Sequence, residues 1–153
     1  MFPDWKNWRH VVKLDPDKAA DEYMIEQVVA SGTDAIIVGG TQNISREKVL
    51  RLYKLLKPYP LPKILEVSSV DAISFGFDGY LIPIVLNAGH PQWLIGAHKE
   101  AVKLIGELMD WQVFLPEGYI ILNPDCAAAE LTKAINPLSR EDVLAYARCG
   151  ENL

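Results

Sequence analysis

Lys13 and Asp15 stand two residues apart in the run His10-Val11-Val12-Lys13-Leu14-Asp15. In an extended strand that spacing puts both side chains on one face. An ammonium and a carboxylate placed so have two uses. They can pair with each other and serve only the fold. They can also divide the work on a phosphorylated ligand, Lys13 meeting a phosphate and Asp15 a hard cation. Mg²⁺ is such a cation, because it takes one or two carboxylates together with ligand phosphates. Gly39-Gly40-Thr41 forms a second set. Glycines let the backbone approach a ligand closely, and the Thr41 hydroxyl adds an oxygen donor. Gly-Gly is equally an ordinary tight turn. Glu66 follows another apolar stretch, either as a salt-bridge partner or as a site carboxylate, and spacing does not choose between them. Asn87 and Asn123 close two further stretches, where asparagine also serves simply to satisfy backbone groups.

These residues share a position relative to the elements that carry them. The apolar, β-branched runs are His10–Asp15, Ala35–Val38, Lys63–Ser68, Tyr80–Asn87 and Gly118–Asn123. Each reads as a strand, and each ends in polar or glycine chemistry. Helix-like stretches alternate with them. Ala19–Ala30 carries an apolar stripe and stops at Ser31-Gly32. A second helix starts after Ser45 and is ended by Pro58 and Pro60. Ser45 with Lys48 makes only part of a capping box, which wants Glu or Gln at the third position. A long helix is expected from about Gln92 to Met109, a short one from Ala127 to Ala134, and a last one from Ser139 to about Arg148, with Asp142 three residues after Ser139. Strand and helix in alternation indicate a parallel α/β fold. The eleven-residue span Ser69–Gly79 between the third and fourth runs is too short for the usual crossover helix. In parallel α/β folds ligands bind at the carboxyl ends of strands, so five polar strand ends point to a shared site.

Composition narrows the function. The chain has 153 residues, 50% hydrophobic and 23% charged, which excludes disorder as its main state. A net charge of -5 argues against a duplex nucleic-acid binder, which needs clustered Lys and Arg. No apolar run approaches the roughly 20 residues of a membrane span. The charged, aromatic start MFPDWKNWRH lacks the apolar core of a secretory signal. Cys126 and Cys149 lack metal spacing and read as incidental cytosolic thiols. His10, His90 and His98 have no metal-like company. A P-loop, a dinucleotide-binding glycine motif and a Ser-His-Asp order are all missing.

The stretches HVVKLDPDK, SGTDAIIVGGT, ILEVSS, FDGYLIPIVLN, GYIILNPDCAAAELT and AYAR together resemble the geranylgeranylglyceryl phosphate synthase family. The resemblance is to its bacterial PcrB branch, the heptaprenylglyceryl phosphate synthases, and runs from Trp8 to Arg148. It implies an α/β fold of the modified (β/α)₈ TIM-barrel type, in which the third helix is replaced by an extended or loop segment. The family reaction transfers a polyprenyl group from its diphosphate to the 3-hydroxyl of sn-glycerol 1-phosphate. It makes an ether, releases pyrophosphate and requires Mg²⁺. By resemblance, Lys13 in KLDP matches the lysine that contacts glycerol phosphate. Asp15 matches a Mg²⁺ ligand, and Thr41 the Ser/Thr at the second Mg²⁺ position. Ala101 falls where a bulky residue would block the prenyl groove, so a small one suits a long heptaprenyl chain.

The family pattern continues past AYAR with a YLEYSG-like strand and glycine-rich turns that bind the phosphate, and with a carboxylate expected to act on the attacking hydroxyl. This chain ends at Leu153. A (β/α)₈ barrel takes about 250 residues. The expectation is therefore a single domain over 1–153, the N-terminal part of a prenyltransferase-type barrel with about five strands and the catalytic carboxylate beyond Leu153. Two alternatives remain open: a non-catalytic truncated fragment, and another phosphate-binding barrel enzyme. The latter predicts an acid and a base on opposing strands and no need for Mg²⁺. A homodimer, a cytoplasmic location and at most peripheral membrane contact complete the expectation.

Overall fold

The computed structural model describes residues 1–152. They form two compact units, Met1–Ile82 with Asp110–Leu115, and Pro83–Met109 with the described residues from Pro116 onward. Five strands occur in the order β1 (Val11–Leu14), β2 (Ala35–Val38), β3 (Lys63–Glu66), β4 (Gly79–Val85) and β5 (Phe114–Tyr119), which is also their order in the sheet. β1 to β4 pair in parallel.

In the first unit, helix α1 (Glu22–Ala30) starts at Asp21, whose carboxylate accepts the Met24 N–H, and gives way to Gly32 at φ +78°. Helix α2 (Arg46–Leu56) starts at Ser45, whose hydroxyl accepts the Lys48 N–H. Register decides which strand face meets these helices. Lys13 pairs with Ile37, Ile37 with Ile64, and Ile64 with Gly79, so these four share one face. The opposite face carries Leu14, Ile36, Val38, Leu65 and Tyr80. It packs with Ile25, Val49, Leu52 and Leu56 of the two helices into one buried core. Each such aliphatic side chain contributes about 1.5–3 kcal/mol through burial. The first face is the inner one, turned away from the helices. At its amino-terminal end Phe2 lies against Gly79, where a Cβ would come within 2.7 Å of the Phe2 ring.

No α-helix joins β3 to β4; the connection holds only a 3-10 turn, Val70–Ala72. Its place over the sheet is taken by Ala72 and Phe77, both buried in the core. Phe77 lies between Tyr53 at 4.7 Å and Tyr80 at 6.2 Å, ring centroid to centroid, and Tyr80 stacks on Phe114 at 4.6 Å. Burial pushes the Tyr80 phenol above its ordinary pKa, and its hydroxyl donates to the Ser74 carbonyl.

In the second unit the expected long helix is interrupted. A 3-10 turn over Pro91–Trp93 precedes α3 (Gly96–Ile105), and another follows over Gly106–Leu108. Gly96 and Gly106 bracket the regular stretch, as residues of low helix propensity do. Helix α4 (Ala127–Thr132) ends at Lys133 in the left-handed conformation. Helix α5 (Arg140–Gly150) opens with a complete Ser139–Asp142 capping box. The hydroxyl and backbone N–H of Ser139 hold the Asp142 carboxyl below its usual pKa.

The fifth strand lies four residues earlier than its apolar run indicates, at Phe114–Tyr119 instead of Gly118–Asn123. The reason is Asn87, whose side chain is fully buried. Its Nδ2 donates to the Ile121 carbonyl at 2.8 Å, and its Oδ1 accepts the Ile121 N–H at 2.9 Å. One side-chain amide thus satisfies the backbone of Ile121 in place of a neighbouring strand. The same Nδ2 reaches the Ile135 carbonyl at 3.1 Å, and the Ile135 N–H donates to the Asn87 carbonyl.

Candidate functional site at the carboxyl ends of the first three strands

Lys13 points to the inner face near the end of β1, and its partner is Glu66, the last residue of β3. The Lys13 Nζ lies 2.6 Å from Oε2 and 2.7 Å from Oε1 of Glu66. The lysine side chain is 36% exposed and the glutamate 7%. A carboxylate that deep requires a partner, because an unpaired buried charge is costly. The pairing spans β2, and Gly39 just beyond β2 makes it possible. A Cβ at residue 39 would stand 2.7 Å from the Glu66 Cβ and 3.2 Å from its Oε1. Glycine at 39 therefore makes room for a protein carboxylate.

Gly40 does the same for Asp15. A Cβ there would come within 2.6 Å of Asp15 Oδ1 and 2.8 Å of the Ile44 side chain. Strand β1 ends at Leu14, so Asp15 lies just beyond it, outside the strand alternation that would align it with Lys13. Its Oδ1 accepts the Asp17 N–H at 2.9 Å. The half-buried Asp15 carboxylate thus sits in a cradle that the absence of a side chain at residue 40 keeps open. Thr41 follows directly, exposed at a bend.

Three residues not expected at the site tie these loops together. Lys48 donates to the Asp17 carboxylate and to the Asn43 carbonyl, and Asn43 Nδ2 approaches Asp17 at 3.4 Å. Asn43 holds a left-handed backbone at φ 55°. The loop bearing Asp15 is thereby joined to the loop bearing Thr41. The Lys48 ammonium holds the Asp17 carboxyl below its usual pKa, with Asn43 adding to the effect. A signal was present in the sequence: a lysine at the position where a capping box wants Glu or Gln. The Lys48 backbone N–H is capped by Ser45, while its side chain, which has no acceptor to return to the cap, reaches the neighbouring loop.

The remaining candidates lie in the second unit. Asn87 satisfies backbone groups, as described. Asn123 is exposed, and its Oδ1 accepts the Asp125 N–H at 3.0 Å. Ala101 is half-buried on α3. Among the described residues, no group of three or more His, Cys, Asp or Glu side chains is arranged to hold a metal ion. Among the described residues, no helix is long and apolar enough to cross a membrane.

Parallel strands with helices on one face and polar side chains at their carboxyl ends define part of a (β/α)₈-type barrel. Solved structures agree. A wild-type GGGPS from Thermoplasma volcanium superposes with a TM-score of 0.81 at 25% identity, covering 95% of this chain and 60% of its own. The (S)-3-O-geranylgeranylglyceryl phosphate synthase of Thermoplasma acidophilum, solved with its substrate sn-glycerol-1-phosphate, gives 0.81 at 21% identity over 96% of this chain and 62% of its own, and shows the fold. The chain belongs to the PcrB family, whose sequence model matches residues 3–153. A heptaprenylglyceryl phosphate synthase of Geobacillus kaustophilus is 49% identical over 146 residues, which are 95% of this chain and 61% of that protein. The chain thus spans about three fifths of the length of that relative.

Proposed function

We propose that this chain carries the Lys13–Asp15–Thr41 part of a prenyltransferase site that joins a polyprenyl group, of heptaprenyl length, to sn-glycerol 1-phosphate. The observation that carries the reading is the double cradle at Gly39-Gly40, where two adjacent glycines make room for two carboxylates at the ligand-binding end of the sheet: buried Glu66, paired with partly exposed Lys13, and Asp15. In the proposed reaction the polyprenyl C–O bond to diphosphate breaks, an ether C–O bond to the glycerol hydroxyl forms, that hydroxyl loses its proton and pyrophosphate leaves. In this reading residues 1–153 are the N-terminal part of a barrel domain.

Lys13 binds the phosphate of the acceptor through its partly exposed ammonium. Asp15 and Thr41 offer a carboxylate and a hydroxyl, hard oxygen donors of the kind Mg²⁺ accepts alongside substrate phosphates. What bound Mg²⁺ supplies is charge neutralisation at the departing pyrophosphate. Asp17, Asn43 and Lys48 fix the loops from which those donors project. Ala101, small and half-buried on α3, leaves space for a long prenyl chain.

The test is transfer of labelled glycerol 1-phosphate into an organic-soluble ether with heptaprenyl diphosphate and Mg²⁺. It is run with the 153-residue chain alone and with the remaining part of the Geobacillus kaustophilus relative added in trans. Ether formation in either arm, lost in Asp15→Asn, supports the reading. No ether in both arms overturns it.

A further inference from the structure

We propose that Glu66 is a positioning residue: it holds the Lys13 ammonium at a fixed point on the inner face so that a phosphate group meets a preset donor. This rests on the reading of Lys13 as the phosphate contact and extends it to a residue with no assigned role. Four observations carry it. Both Glu66 oxygens lie within hydrogen-bond distance of Nζ, a two-point grip on a side chain that otherwise has four rotatable bonds. Glu66 is buried while Lys13 is partly exposed, so the carboxylate is the fixed member and the ammonium the presented one. The pair joins β1 to β3, elements held rigid by the parallel ladder. Gly39 has no side chain where one would strike Glu66, so the space for the grip is built into the backbone.

Chemistry agrees with the geometry. A lysine ammonium is a compact charge on a flexible stem. Restricting it before binding lowers the ordering cost that ligand binding would otherwise carry. The Glu66 charge also offsets that of Lys13, so the pair gains orientation at the expense of net attraction for a dianion. If the pair were purely structural, removing the Glu66 charge would leave coverage of Lys13 by a phosphate ester unchanged or strengthened, whereas loss of positioning weakens it.

The experiment is competitive lysine acetylation of the 153-residue chain, read by mass spectrometry at each lysine, with and without sn-glycerol 1-phosphate. In Glu66→Gln the reactivity of Lys13 should rise roughly threefold to tenfold, the upper figure reduced by screening at a partly exposed site. The other lysines should be unchanged. Protection of Lys13 by glycerol 1-phosphate should weaken by a similar factor, and Glu66→Asp should recover part of it. Gly39→Ala keeps both charges but displaces Glu66. It should act in the same direction, and it stands in for Glu66→Gln if that variant raises every lysine at once by unfolding. Unchanged Lys13 reactivity in both variants overturns the grip. Raised reactivity with unaltered or strengthened protection overturns the positioning role. Absence of protection in the unsubstituted chain, with the grip intact, overturns the phosphate reading of Lys13 and, separately, spares the pairing itself.

Discussion

Replacing Asn87 with leucine removes one side chain and three hydrogen bonds at once. Leucine keeps the branching of four heavy side-chain atoms but is bulkier, so some overpacking adds to the loss of polar satisfaction. The bonds are Nδ2 to the Ile121 carbonyl at 2.8 Å, Nδ2 to the Ile135 carbonyl at 3.1 Å, and the Ile121 N–H to Oδ1 at 2.9 Å. A typical net bond contributes about 0.5–1.5 kcal/mol, and a buried group left without a partner costs about 1–3 kcal/mol. Ile121 is itself buried, so its N–H and carbonyl have little access to water. The Ile135 carbonyl sits at an exposed residue and is resolvated more readily. The sum comes to about 3 kcal/mol. For a chain of this size that lowers the thermal midpoint by roughly 6–12 °C. Asn87→Asp keeps the acceptor for the Ile121 N–H but turns a carboxylate toward two carbonyls, and should cost at least as much. Circular dichroism melts give the midpoints, and amide exchange at Ile121 gives the local effect, which should be faster in the leucine variant. A midpoint within 2 °C of the unsubstituted protein in both variants, with Ile121 exchange unchanged, would refute the argument that one amide replaces a strand pairing here.

Phe77→Ala opens the space that covers the sheet where the crossover helix is absent. Phe77 is 7% exposed, and truncations of this kind cost about 3–5 kcal/mol, readable in a urea titration. Lys48→Met keeps the aliphatic stem and cuts the tie to Asp17 and Asn43. The Asp17 carboxyl should move back up toward its ordinary pKa in a ¹³C titration, while the melting midpoint barely changes, because an exposed pair contributes little. The backbone N–H groups of His10 and Arg9 hold the Asp34 carboxyl below its usual pKa. A depressed folded pKa contributes stability that is complete above the unfolded value, 3.8, and is lost as pH falls through the folded value. The stability gap between the unsubstituted chain and Asp34→Asn should therefore be flat from neutral pH to about 5 and close below about 4. A gap that widens on acidification would contradict the assignment.

Local pattern made much of the architecture legible. Ser45 and the Ser139–Asp142 pair mark helix starts because a capping side chain bonds backbone two or three residues away. The alternation of β-branched runs with amphipathic stretches yields the parallel order, since periodicity reports which face is buried. The short third connection follows from counting residues. Lys13, Asp15, Gly39, Gly40, Thr41 and Glu66 could all be picked out because each ends an apolar run.

Tertiary structure decided how those residues relate. Lys13 and Asp15 look like a pair in the sequence, yet Lys13 reaches Glu66, 53 residues away, and Asp15 lies beyond the end of β1. Sequence spacing describes neighbours along one strand, whereas the partner across β2 is set by register between strands. Gly39 and Gly40 look like a turn or a ligand approach, and only the fold shows that each lies against a different carboxylate. Residues 118–123 look like a strand by composition, but a strand is defined by what its backbone pairs with. The Asn87 amide bonds both the N–H and the carbonyl of Ile121. The sequence by itself determined the kinds of element, their order and the ends where chemistry collects. Which charge meets which, and where the last strand stops, depended on contacts across tens of residues, whose energies become available only once the sheet has set its register.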